Sequence, residues 1–321
     1  EIDAATRTNL ELMRSLSGGR QGSLLAAIDR TVTGPGARLL AARLAAPLTE
    51  PASIDDRLDA VQFFLDETRR CDDLIGHLRR CPDMMRALSR LTVRRGGPRD
   101  LAAIRDGLEV AAEVQALLGD ADVPVPTEVA NASEALIHHE VLRDRLARAL
   151  ADDLPLLARD GGFVRGGYAP ELDELLKLRD EGRWMIADLQ ARYRGETGVD
   201  SLKVRHNNVL GYFIEVTPRH ADKMGEAFIH RQTLASAMRY TTTALADLAR
   251  DIAEAADKAL AVELTLFDDL VGEVTARAEA IAAAANGLAA LDVAAAMAAL
   301  AGERRYCRPK IEDSLTFEIV Q

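Results

Sequence analysis

Aromatic residues make up only 4% of this 321-residue chain although 48% of it is hydrophobic, so a core of this size is expected to come from Leu and Ala in helices. Cysteine is almost as scarce. Cys71, Cys81 and Cys307 form no paired metal-binding spacing, and an odd count cannot complete a disulfide framework, so reduced structural thiols are expected. No run of about 18 apolar residues and no charged-then-apolar leader is present, which points to a soluble, cytoplasmic protein that spans no membrane. The phosphate loop GxxxxGK[ST] is missing, and with it the sequence basis for nucleotide hydrolysis. His138 and His139 precede Glu140 without the HExxH spacing of a zinc site, and read as an exposed polar pair. The adjacent carboxylates Asp55 with Asp56, Asp152 with Asp153 and Asp268 with Asp269 would point apart on a helix, so they read as solvated charge, and no catalytic or metal site is expected. Gly34-Pro35-Gly36 lacks the lysine and strand of a phosphate cradle and reads as a turn.

What the chain does have is an excursion over residues 171 to 268. From Leu234 the apolar or small positions step 4, 3, 4, 3 through Met238, Thr241, Leu245, Leu248, Ile252, Ala255, Ala259, Val262 and Leu266, a heptad seam with no Pro or Gly inside it. At about 1.5 Å per residue, a helix from 234 to 266 would be a rod of roughly 48 Å. Such a rod needs a partner, and the nearest is the stretch Glu171 to Tyr193, with Leu172, Leu175, Leu176, Ile186, Leu189 and Tyr193 apolar. Because only 196 to 230 lies between them, the second helix is expected to return beside the first as an antiparallel arm. At its tip, SLKVRHNNVLGYFIEVT (201 to 217) places two strand-like runs around Asn207 and Asn208, residues that tolerate a two-residue hairpin turn. That loop would set 206 opposite 209, 204 opposite 211 and 202 opposite 213. It would also gather Lys203, Arg205 and Tyr212 on one face.

The remainder reads as helices. Residues 1 to 16 suggest a helix or a strand leading into one, Gly18 and Gly19 stop it, Ser23 to Asp29 resumes, and Ala37 to Ala46 forms a short helix ended by Pro47. Ser53 with Asp56 suggests an acidic capping box for the next helix. Short amphipathic helices flank Pro82, Arg99 to Leu118 is helical, and Glu128 to Leu150 is expected to be one charged amphipathic helix. Pro155 and the pairs Gly161 with Gly162 and Gly166 with Gly167 make a loop before the arm. Ala276 to Ala301 holds 15 alanines in 26 residues, and such small side chains let it pack closely against the first half of the chain. The fold expected is mainly α: a helical-bundle core with an inserted antiparallel two-helix arm ending in a small β-rich tip. Glu1 is not an initiator Met and Thr316 to Val320 has a strand pattern, so the chain is expected to be a piece of a longer protein.

The net charge of −11 opposes DNA binding if taken as an average, because phosphate contacts need Lys and Arg. From Arg192 to Tyr240, however, eight Lys or Arg face five Asp or Glu, a local balance of +3 that leaves −14 on the rest. His206, His220 and His230 fall in the same stretch. A weakly basic tip on an acidic chain could touch DNA at one place only.

LKVRHNNVLGYFIEVT followed by HRQTLASAMRY resembles the clamp segment of the MutS family of mismatch-repair ATPases. TRTNLELMRSLSGGRQGSLLAAIDRTVTGPGARLLAARLAAPLTEPASIDDRLDAV resembles the opening of that family's core, or lever, domain, GGFVRGGYAPELDEL the start of its outgoing arm, and RRYCRPKIEDSLTFEIVQ its approach to the ATPase domain. The resemblance covers essentially the whole chain. It implies a lever domain over 1–190, a clamp domain over 191–248, and a second part of the lever over 249–321 that ends in the linker to an ATPase domain. It also implies double-stranded DNA and the other domains of the same protein as partners, a homodimeric parent associated with the bacterial nucleoid, and no cofactor here, with ATP and Mg²⁺ in the parent. The DNA-binding set expected is Lys203, Arg205, His206, Asn207, Asn208, Arg231, Gln232, Ser236 and Arg239, contacting phosphates without reading sequence. Family matches carry over at Asn207, Gly211, Arg231, Gln232 and Thr233. Leu210 departs from a polar or His position, and Ala235 and Ser236 from a Lys-Asn pair. Two alternatives stay open: a helical protein-interaction scaffold, and a MutS relative acting in recombination, against which the opening EIDAATRTNLEL favours the repair branch.

Overall fold

A computed structural model describes residues 2–120, 123–137, 139–207, 209–314 and 316–319. The chain divides into two compact units, one comprising 1–150, 154–157 and 269–321, the other 151–153 and 158–268.

In the first unit the elements are α1 (Ala4–Asn9), α2 (Leu24–Ile28), α3 (Gly34–Ala45), α4 (Pro51–Asp66), α5 (Thr68–Leu78), α6 (Met84–Thr92), α7 (Pro98–Gly119), α8 (Thr127–Glu134), α9 (Glu140–Ala149) and α12 (Ala278–Arg304). The alanine-rich α12 is the axis, packing against α3 through α8. Its small side chains allow this on several sides at once: Ile281, Ala284, Gly287, Leu288, Leu291 and Ala295 are all buried. At Gly287 an added Cβ would lie 2.8 Å from the Ala132 carbonyl oxygen, so here α12 and α8 approach almost backbone to backbone. Among the described residues α12 alone is long and apolar enough to cross a membrane, but 67% of its apolar window is buried inside the protein.

One polar residue interrupts this apolar axis. Asp292 is only 1% exposed, and its carboxylate accepts from Val32 N (3.0 Å), Thr33 N (2.9 Å) and the Thr33 hydroxyl. Thr33 in turn caps α3, its Oγ1 accepting from Gly36 N at 2.9 Å. Burial pushes the Asp292 carboxyl above the usual range, against the pull of its Thr33 and Val32 donors. Gly36 is required: a Cβ there would sit 2.1 Å from Asp292 Oδ2.

The first unit corrects several expectations. Gly34-Pro35-Gly36 is the first turn of α3, not a separate turn, because Thr33 caps it and Pro occupies the start where no N–H is missed. For the same reason α4 begins at Pro51, which places Ser53 inside the helix, with no side-chain cap on its first turn. Residues 128 to 150 are two helices, α8 and α9. On one straight helix, at about 100° per residue, Val129, Ala132 and Leu136 would lie about 100° from Leu142, Leu146 and Ala149. All six are buried, and only a break lets both sets reach the core. His139 in that break is buried, not exposed, with Nε2 3.4 Å from the Ala135 carbonyl oxygen; His138 lies outside the described residues. Residues 316–319 are exposed and form no strand. The adjacent carboxylates stay at the surface as expected, each beside an arginine: Asp55 with Arg308 at 3.3 Å, Asp269 with Arg145 and, in the second unit, Asp152 with Arg165 at 2.6 Å. The cysteines are free, and burial pushes the Cys71 thiol up to about 11 and Cys81 up to about 12.

The second unit holds α10 (Pro170–Thr197), a four-stranded sheet and α11 (Thr243–Ala276), most of which belongs here. Tyr193 bonds to Thr242, Gly182 lies against Ile252, and Glu171 shares a groove with Val262 and Thr265. Positions descend on α10 as they ascend on α11, so the two helices are antiparallel. The approach at Gly182 is close, since a Cβ there would meet Ile252 Cγ1 at 2.4 Å. The seam from Leu245 onward is as expected, with Leu245, Ile252, Ala255 and Ala259 buried. Its start is not: α11 begins at Thr243, and 234–242 is hairpin. Met238 and Tyr240 share one face of the strand that ends at Thr241, and the Thr242 hydroxyl then accepts from Leu245 N at 3.1 Å to open the helix. At the far end of the same seam, buried Glu263 accepts from Gly162 N (2.9 Å), Phe163 N (3.2 Å) and Val164 N (3.4 Å), holding the glycine-rich loop onto α11.

Replacing Asp292 with Ala would leave the part-buried amides of Val32 and Thr33 without that acceptor. We expect D292A to lower stability by about 3 kcal/mol in urea unfolding followed by circular dichroism; an unchanged midpoint would refute the tie between α12 and α3.

Candidate nucleic-acid interface

The sheet contains β1 (Lys203–Asn207), β2 (Gly211–Val216), β3 (Ile229–Thr233) and β4 (Met238–Thr241), all antiparallel in the order β1-β2-β4-β3. β1 and β2 pair with Lys203 opposite Glu215, Arg205 opposite Phe213, His206 opposite Tyr212 and Asn207 opposite Gly211. The hairpin is therefore real, but its connection takes three residues instead of two. Gly211 is the reason. It adopts φ +67°, which glycine takes without strain and which closes a three-residue loop, and the Asn207 side-chain oxygen accepts from Val209 N (3.0 Å) and Leu210 N (2.7 Å) to hold that loop. Asn208 lies outside the described residues.

A shift of three is odd, so it moves β2 to the opposite face from the one expected. Tyr212 does not join Lys203 and Arg205. It stacks edge-on with His206, ring centroids 4.9 Å apart, on the side facing the helices. That side belongs to the apolar cluster: Ile214, Val216 and Tyr240 pack with Ile186, Leu189, Tyr193, Leu245 and Ile252, and Val204, Tyr212 and Met238 fill its margin.

The opposite face carries the charge. Glu215 pairs with Arg239 across β2 and β4, and Gln232 pairs with Arg239 across β3 and β4. Lys203, Glu215, Arg239 and Gln232 thus form one row across all four strands, with Arg205 two residues along β1. Arg205 Nε lies 3.2 Å from Glu215 Oε1, and Arg239 Nε lies 3.3 Å from Glu215 Oε2. The Arg239 guanidinium also covers the Phe213 ring at 4.4 Å and donates to Gln232 Oε1 at 2.9 Å. This explains why Phe213, on the side away from the helices, is only 3% exposed. Arg231 is the extra residue of a bulge in β3, exposed and without a cross-strand partner. Lys203 is exposed as well, and among the described residues neither it nor Arg231 forms an ion pair.

The structure thus brings together Lys203, Arg205, Gln232 and Arg239, with Arg231 beside them on the edge strand. It separates the others. His206 faces the helix side, and Asn207 closes the hairpin at one end of the sheet. Exposed Ser236 sits in the turn 234–237 at the other end, where Leu234 N donates to Ala237 O at 2.8 Å. Of the remaining histidines, His230 packs on Tyr240 and bonds to Thr233 Oγ1 at 2.9 Å, and His220 Nε2 accepts from Arg219 Nε at 3.0 Å. Sequence reasoning missed Glu215 and Phe213 as parts of this face, because only the true register puts them there.

A family model of MutS domain III matches residues 5–298. The chain belongs to the MutS family of mismatch-repair proteins. The match takes in the whole four-stranded sheet and all twelve helices named above, apart from the first residue of α1 and the C-terminal end of α12. Those bounds enclose the strands that carry the basic face. Among the described residues no cluster of His, Cys, Asp or Glu is placed to hold a metal ion.

Loss of the Asn207 side chain or of glycine at 211 would loosen the hairpin. We expect N207A and G211A each to cost about 1 kcal/mol of local stability, read as faster amide exchange over 203–216 with exchange in α12 unchanged. Equal protection in both variants and the parent would show that another feature sets the loop.

Proposed function

We propose that this domain of a mismatch-repair protein grips duplex DNA by its phosphates through the basic face of the four-stranded sheet, without reading sequence. The observation that carries this reading is the row of Lys203, Arg239 and Gln232, with Arg205 and Arg231 next to it. These donors are fixed on strands whose other side is committed to a buried cluster. Donors of this kind suit phosphate oxygens, and β-pleating holds them on one side, where a backbone could be followed. The chain as a whole carries −11, so binding would be confined to this patch and the rest would repel the polyanion.

Nothing in the 321 residues provides a phosphate-binding loop, so we assign no nucleotide hydrolysis to this domain and place ATP and Mg²⁺ elsewhere in the parent protein. Its part is mechanical. α11 is a single uninterrupted helix of 34 residues, about 51 Å long, and a rod of that length can pass a movement from one end to the other.

One observation favours a second reading, docking of another protein helix. Leu178 and Met185 are 59% and 58% exposed, and border a shallow groove of about 380 Å³ between α10 and α11 that is lined also by Leu175, Gly182 and Ile252. Salt separates the two, since phosphate binding weakens steeply with ionic strength and apolar docking does not.

The double variant R205A/R231A should bind all duplex sequences more weakly by the same factor. It should also flatten the plot of log affinity against log salt by about 0.9 for each phosphate the arginines no longer neutralise, measured by fluorescence anisotropy. An unchanged slope would remove both arginines from the interface.

A further inference from the structure

We infer that Glu215 is a built-in competitor for phosphate, holding the DNA grip of this face below what its arginines could deliver. The inference rests on the reading of the face as a DNA grip and adds to it how that grip is regulated. Both carboxylate oxygens of Glu215 are engaged, Oε1 by Arg205 and Oε2 by Arg239. The carboxylate sits at the centre of the row, directly opposite Lys203 on one side and Arg239 on the other. Every cation there except Arg231 thus has the same anion as its nearest strand neighbour or ion-pair partner.

The two arginines are not equally held. Arg239 is pinned three ways, by Glu215, by the Phe213 ring and by Gln232, and its side chain is 20% exposed. Among the described residues Arg205 has Glu215 alone, and its side chain is 54% exposed. An approaching phosphate would therefore draw Arg205 away from Glu215 first. Arg239 would stay over the Phe213 ring, keeping a positive charge under the DNA while contributing little new bonding. Each phosphate bound by Arg205 must replace an ion pair already present, so its net yield is smaller than that of unpaired Lys203 or Arg231. The arrangement keeps the grip weaker than the same arginines would make it without Glu215.

Glu215→Gln removes the competing charge while keeping an oxygen to accept from Arg239. The experiment is a salt titration of the 321-residue chain with an arbitrary-sequence duplex, read by anisotropy for the parent, E215Q, R205A and R205A/E215Q. E215Q should bind roughly fivefold more tightly at about 0.1 M salt, with a salt slope steeper by up to about 0.9, the equivalent of one more neutralised phosphate. That gain should shrink sharply when Arg205 is also absent. If R205A weakens binding but E215Q binds no better than the parent, the competitor role is overturned while the grip stands. If neither the parent nor E215Q shows salt-dependent binding, the grip itself is overturned, and the inference with it. A purely structural role for Glu215 would lower the unfolding midpoint of E215Q without steepening the salt slope, and that result also counts against the proposal.

Discussion

The register of β1 against β2 is the constraint on which the rest of this unit depends. It is fixed from two directions. Gly211 at φ +67° and the Asn207 side chain close a three-residue loop, and the alternation of Val204, Ile214, Val216 and Tyr240 commits one face of the sheet to Leu189, Tyr193 and Leu245. Ile214 and Leu245 are fully buried, and burying side chains of this size stabilises by about 1.5–3 kcal/mol each, so a slip of one residue would cost several of them together. Once that face is committed, Lys203, Arg205, Glu215 and Arg239 have no alternative but the other.

The second consequence is electrostatic. A composition of −11 conceals one surface on which three cations and one anion meet across neighbouring strands. Phe213 shows how they are held: an aromatic ring on the solvent side is covered by the guanidinium it supports, so the charge is positioned by packing as well as by ion pairs. In the first unit Asp292 plays the equivalent part for α12, a buried charge kept in place because three donors converge on it.

The fold class was legible because its signals are long. A seam sustained from Leu245 to Leu266 and an alanine-rich stretch that can approach neighbours on every side survive local errors. The start of α11 was not legible: Leu234, Met238 and Thr241 happen to fall on the heptad positions while Met238, Tyr240 and Thr242 also alternate, and periodicity alone cannot choose between the two. The break at residues 135–139 carries no Pro or Gly, and shows only in the change of phase between Val129 and Leu142. At the site, the individual basic residues were legible but their company was not. Asn-Asn suggests a two-residue turn, whereas the residue that decides the loop is Gly211, three positions further on than Asn208. From that one difference follow the placement of Tyr212 on the helix side and of Glu215 between Arg205 and Arg239.

The most direct test of this account is hydrogen exchange of the chain with and without an arbitrary-sequence duplex at low salt. The account predicts protection confined to 203–216 and 229–241, lost together as salt is raised, with α12 unaffected. Protection along the exposed side of α10 around Leu178 and Met185, with none on the strands, would contradict it.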